Sequence, residues 1–141
     1  MSLLPIRFFP ENPLESASGE IMGAELQMFQ AGINGTQIFI STSFDLGASW
    51  GPAINVPSAT SPKAPAIAFI GPQLYVVWLA NDTSNTLYFT YSVDNGQTFE
   101  PVVQIPEAVT EEAPGIIGGI QCGAIYFKVG NGETGVIPIQ L

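Results

Sequence analysis

The chain contains no histidine, one arginine (Arg7) and two lysines (Lys63 and Lys128). Without imidazole it lacks the side chain that most often serves as a general base near neutral pH and as a metal ligand. The Ser-His and Cys-His nucleophile pairs are therefore unavailable. Twelve acids against three bases give a formal charge of -9, which repels a phosphate backbone, so no nucleic-acid partner is expected. Cys122 is the only cysteine, so neither an intrachain disulfide nor a multi-cysteine zinc site can be built. Its setting, "IIGGIQCGAIYF", reads as that of a small buried core residue. No metal and no cofactor is expected.

Long apolar runs are also missing. "MSLLPIRFFPENP" is broken by Pro5 and is too short for a secretory signal or a membrane span. As written, the chain reads as cytoplasmic, with no membrane partner. A mature secreted protein would read the same way, and the sequons at Asn34 and Asn81 matter only in that case. No window carries helical spacing with caps, and the prolines interrupt most candidates.

What remains is 15 Gly and 12 Pro spread among short runs of Val, Ile, Phe and Tyr. That is the composition of many short strands joined by tight turns, an all-β class. The 141 residues fall within the size of a single domain, 1–141. Apolar residues make up 46% and charged residues only 11%, too little charge for a charge-coated monomer.

The chain repeats itself at an offset of 49 residues. "IFISTSFDLGASWGPAINVP" lies over "LYFTYSVDNGQTFEPVVQIP", and Pro52, Pro57 and Pro65 fall on Pro101, Pro106 and Pro114. In the other direction "LQMFQAGINGTQIFIS" lies over "YVVWLANDTSNTLYFT" after a one-residue adjustment, so an incomplete copy opens the chain. About three repeats are present, each read as four short strands. In the middle copy these are placed near 65–70, 73–80, 85–92 and 101–105, with breaks at Gly71-Pro72, Asn81–Asn85 and Asn95-Gly96. Four-stranded units of this length are propeller blades.

Two of the copies carry the same turn between their third and fourth strands. Ser43, Asp45, Gly47, Ser49 and Trp50 form one copy, and Ser92, Asp94, Gly96, Thr98 and Phe99 the other. The Asp can accept backbone N–H bonds, Gly takes a positive φ, and Ser or Thr adds a hydroxyl bond. The pattern resembles the Asp-box, or BNR repeat, of sialidases and related β-propellers, Ser-x-Asp-x-Gly-x-Thr-Trp, with Phe99 and Ser49 as mild departures. The resemblance covers most of the chain and implies that these turns are structural and lie away from the catalytic face.

The resemblance also implies a chemistry this chain cannot perform. Sialidases grip the substrate carboxylate with three arginines and use a tyrosine paired with a glutamate, plus an acid/base aspartate. Such a grip needs several guanidinium forks, and Arg7 is alone. Other glycosidase chemistry would need two carboxylates at a defined separation, which the sequence does not fix. The expectation is a non-enzymatic module with no catalytic residues.

Closed propellers use four to eight blades; three do not close. The last copy ends in "GVIPIQL", aligned with a third strand, while "SLLPIRFF" (2–9) reads as a fourth strand without a blade. One subunit's N-terminal strand could complete another's last blade. Two chains would then make a six-bladed ring, the blade number of the sialidase fold, so a homodimer is expected. The alternatives are a fragment of a longer protein, or a head-to-tail assembly of other subunit number.

A propeller places the second-to-third-strand loops and the blade-to-blade loops on one face, opposite the Asp-box turns. Here those loops fall near 10–18, 32–36, 58–64, 81–85, 107–113 and 130–134. They hold Glu11, Glu15, Asp82, Glu107, Glu111, Glu112 and Glu133 against Lys63 alone. Such a rim suits a neutral carbohydrate or a basic peptide and disfavours anions; alternatively it is a solvated surface that keeps an apolar molecule soluble. Phe29, Trp78 and Phe127 end the second strand of each copy, where an aromatic ring either stacks on a sugar or fills the space between blades. The candidate ligand residues are Trp78, Phe127, Phe29, Asp82, Glu111, Glu112 and Glu133. A lectin-like function is favoured because repeated blades can present several weak sites together; a structural or protein-interaction propeller and a glycoside hydrolase are the rivals.

Overall fold

The computed structural model describes residues 17–22, by backbone only, and residues 27–141. Arg7, Glu11, Glu15 and the proposed 2–9 strand lie outside the described residues. The described residues form an all-β structure of three antiparallel sheets.

The first sheet is β1 (Ala17–Met22), β2 (Gln27–Asn34), β3 (Gln37–Ser43) and β4 (Ile54–Thr60); the second is β5 (Ala66–Ile70), β6 (Gln73–Leu79), β7 (Thr86–Ser92) and β8 (Val103–Val109). The third has three strands, β9 (Gly115–Gly118), β10 (Cys122–Lys128) and β11 (Thr134–Gln140). Every strand pairs only with its sequence neighbours. The sequence-predicted strands of the middle copy fall on β5 to β7 nearly residue for residue.

Two boundaries differ from expectation. The first copy is complete, because β1 begins at Ala17 inside a stretch read as loop. The fourth strand of the middle sheet runs 103–109 instead of 101–105. Pro106 looked like a strand end, yet β8 is an outer edge strand, where a missing N–H costs no ladder bond. The ladder shifts register there, pairing Leu87 with Ile105 and then Thr86 with Val109. The first sheet repeats this bulge around Pro57, pairing Phe39 with Asn55 and Gln37 with Thr60. The Gln37 amide donates to the carbonyls of Val56 (3.0 Å) and Ala59 (3.2 Å) that the bulge turns away from the ladder.

Alternation along each strand splits the apolar residues between two faces. Phe29, Ala31, Ile33, Ile38 and Ile40 of the first sheet meet Ile67, Leu74, Val76 and Trp78 of the middle sheet. The opposite face of the middle sheet, with Ala68, Ile70, Tyr75, Val77, Leu79 and Leu87, meets Ile116 and Ile125 of the third. The middle sheet is therefore buried on both faces, and β6 is apolar at nearly every position. The leading strands approach one another in sequence, β1 against β5 and β5 against β9. At that inner edge Gly118 lies so close to β5 that a Cβ would stand 1.9 Å from the Phe69 carbonyl oxygen.

Among the described residues nothing covers the third sheet's far face. Ile117 (62% exposed), Tyr126 (43%) and Val136 (59%) stand on it, joined by Pro138, which is also exposed. The positions 49 residues earlier, Ala68, Val77 and Leu87, are buried in the second core. Cys122 opens β10 and is exposed, not buried as its apolar neighbours suggested, because among the described residues no further sheet covers it.

Candidate functional site

Two turns of the same Ser-x-Asp-x-Gly pattern follow β3 and β7. Ser43 and Ser92 are buried at the ends of β3 and β7. Ser43 Oγ donates to Asp45 Oδ1 (2.8 Å) and accepts from the Gly47 N–H (2.8 Å); Ser92 Oγ does the same with Asp94 (2.7 Å) and Gly96 (2.8 Å). Asp45 Oδ1 accepts the Ser49 N–H and Oδ2 the Ser49 hydroxyl. Asp94 receives the Thr98 N–H and hydroxyl in the same way. Gly47 and Gly96 sit at φ 86° and 85°, the left-handed region glycine enters without strain. Phe99 then packs on the first core, while Trp50 is half-buried. Both carboxylates and both serine hydroxyls are hydrogen-bonded within their own turns, as in a structural clasp.

The hydrogen bonds from Ser49, then Ser43, hold the Asp45 carboxyl at about 2 instead of 3.8; those from Thr98 and Ser92 do the same for Asp94. A folded-state value below the unfolded one contributes stability above pH 3.8 that is lost as pH falls toward 2. Both carboxyls are exposed, so solvent screening keeps the effect small. In acid titrations followed by melting temperature, Asp45→Asn/Asp94→Asn is expected to show a shallower decline than the parent across that window. Parallel curves would mean that the clasp does not depend on ionised carboxylates.

On the opposite face, the loops 80–85, 110–114 and 129–133 connect the strands. Among the described residues a cleft opens there at the junction between the middle and third sheets and another between the first and middle sheets. The larger, about 680 Å3, lies between the middle and third sheets and is lined by Asn85, Thr110, Glu111, Glu112, Lys128 and Gly132, among others. The Thr110 N–H donates to the Asn85 carbonyl (2.7 Å) and the Glu112 N–H to Thr110 Oγ1 (3.1 Å), fixing the wall that carries both glutamates. The smaller, about 220 Å3, lies between the first and middle sheets and is lined by Ser58, Thr60, Trp78, Ala80, Asn81, Asp82 and Tyr88.

The candidate ligand residues are thus divided. Glu111 and Glu112 share the larger cleft; Asp82 and Trp78 both line the smaller one. Glu133 lies beside the larger cleft but accepts the Asn131 amide (2.7 Å). Glu107 lies within β8 and not in a loop. Of the two readings of the aromatic triplet, Phe29 (1% exposed) and Trp78 (2%) follow the space-filling one, packed in the first core. Phe127 packs half-buried on the second core. Among the described residues no three acids or cysteines gather to hold a metal ion.

Sequence reasoning missed Ser58, Thr60, Asn81, Tyr88 and Lys128. Reading the rim by charge alone passed over hydroxyl and amide groups, although Ser58 and Thr60 stand two apart on one strand and Asn81 directly precedes Asp82.

No family model matches the chain, and no curated protein does. Among solved structures, it is similar to a point mutant of the NanB sialidase from Streptococcus pneumoniae, with a TM-score of 0.56 at 12% identity. The match covers 87% of this chain and 23% of that one. At that identity the likeness concerns the fold alone: three antiparallel sheets arranged in the manner of a sialidase-like propeller.

Proposed function

We propose that the chain is a non-catalytic, lectin-like half-propeller that binds its ligand on the loop face and closes into a six-bladed ring with a second copy. The observation that carries this reading is the far face of the third sheet. Its residues occupy the same repeat positions that, in the middle sheet, are covered by the next sheet. Ile117, Ala124, Tyr126, Val136 and Pro138 leave that face uncharged up to Lys128 at the end of β10, and among the described residues β11 has no fourth strand beside it. A surface of this kind invites association. Contacts between successive sheets run head to tail, so a ring of two chains would repeat an interface the chain already makes twice. Segment 2–9 is proposed as the strand that completes the third sheet, in the partner.

The absence of catalysis is argued from the residue inventory: one arginine and no histidine in 141 residues. No turnover of aryl glycosides, sialosides included, is expected. The test of the ring is solution mass by light scattering on the chain and on a form lacking residues 1–9. Twice the chain mass of 14.9 kDa, falling or giving way to aggregation on truncation, is the expected result. A stable monomer in both would overturn it.

A further inference from the structure

The smaller cleft gathers polar side chains that the fold does not use. Ser58 and Thr60 come from the bulged end of β4, Asn81 and Asp82 from the loop after β6, and Tyr88 from β7. Among the described residues, the Ser58, Thr60 and Tyr88 hydroxyls and the Asn81 amide make no hydrogen bond. Asp82 directs Oδ1 to the Ser84 N–H (2.8 Å) and hydroxyl (2.5 Å), which fixes its side chain and leaves Oδ2 open. The hydroxyl of Ser84, then its N–H, holds the Asp82 carboxyl below its usual value, so it remains an acceptor.

Three hydroxyls that donate or accept, an amide with two donors, and a carboxylate acceptor surround one space. No cation lines it, so an anion would meet no counter-charge. At about 220 Å3 it is smaller than the ~300–1,000 Å3 typical of pockets for drug-sized ligands, with room for a single ring. Tyr88 is partly exposed and braced by Trp78, ring centroids 6.3 Å apart and 14° from parallel. An aromatic so held offers an apolar surface to the C–H groups of a ring whose hydroxyls face the polar wall.

The repeat supplies an internal contrast. The positions 49 residues beyond Thr60, Asn81 and Tyr88 hold Val109, Gly130 and Ile137. Val109 and Gly130 line the larger cleft, together with two glutamates and a lysine. The larger cleft has an amide and a hydroxyl of its own in Asn85 and Thr110, but the positions that hold Thr60 and Asn81 carry no polar side chain there, so this particular set belongs to the first junction.

We propose that Ser58, Thr60, Asn81, Asp82 and Tyr88 form a binding site for one neutral pyranose. The proposal rests on reading the chain as a lectin-like module, but not on ring closure, because all five residues belong to one chain.

The test is 15N-resolved NMR of the full chain, titrated separately with methyl glycosides of glucose, galactose, mannose and N-acetylglucosamine, and with N-acetylneuraminic acid. At least one neutral glycoside is expected to give saturable shifts centred on residues 58–60, 80–84 and 88, with none from the acid sugar. Thr60→Val/Asn81→Gly, which copies the larger cleft, is expected to weaken binding about tenfold or more by removing two hydrogen-bonding groups. Thr60→Val alone, at an exposed position, serves if the double variant misfolds. Unchanged affinity in these variants, preference for the acid sugar, or no saturable shift would overturn the site. Shifts centred on 109–112 and 128–132 would also overturn it while sparing the lectin-like reading, and light scattering judges the ring independently.

Discussion

Trp78→Ala is expected to destabilise the chain by about 3–5 kcal/mol, the usual range for emptying a buried aromatic site. In a domain of this size that lowers the melting temperature by roughly 10–15 °C. Trp78 is among the largest fully buried side chains and is wedged between the first and middle sheets. Its removal leaves a cavity that β6 cannot collapse into, because Tyr75, Val77 and Leu79 hold that strand against the third sheet. Phe127 stands at the repeat-equivalent position but is only half-buried, so Phe127→Ala should cost distinctly less. Urea unfolding of both variants measures the contrast. Equal losses would mean that the two junctions are equally tight and that the middle sheet is not the better-packed one.

Ile117→Lys/Val136→Lys is expected to abolish self-association at concentrations where the parent is dimeric. Placing two ammonium groups in a dehydrated interface should weaken it by about 3 kcal/mol or more, a hundredfold or greater rise in dissociation constant. Both side chains are exposed in the single chain, so the stability of the monomer should change by no more than about 0.5 kcal/mol. That separation makes the variant informative: mass falls while the fold persists. A variant that dimerises as well as its parent would show that this face is not the contact.

The sheets were legible in the sequence because their markers recur at one spacing. Asp45 and Asp94, Gly47 and Gly96, and three pairs of prolines pin the offset, and turn chemistry is a local property that a short stretch encodes. The bulge at Pro106 was less legible, since tolerance of that proline depends on β8 being an edge strand, a fact of the sheet and not of the segment. The same limit misplaced Cys122: its neighbours are apolar, but burial requires a covering sheet. Trp78 and Phe29 were read as equivalent strand ends, but Phe29 stands early in β2 opposite Thr42 while Trp78 stands late in β6 opposite Tyr88, because the loop after β6 is longer than the one after β2 and shifts the register of the second strands. The smaller cleft draws on β4, β6 and β7 at once, and only the bulge that carries Ser58, at φ 59°, brings that hydroxyl to the others.

The nearest-neighbour pairing of all eleven described strands also bears on how the chain reaches this structure. Each hairpin closes over a short segment, so the entropy lost before the first contacts form is modest for an all-β protein. Among the described residues only the middle sheet has a core on both faces, one from each flanking sheet. The chain is thus expected to condense around residues 66–109 and to add its outer sheets to that nucleus, with the last-docked sheet the first to detach when the protein opens.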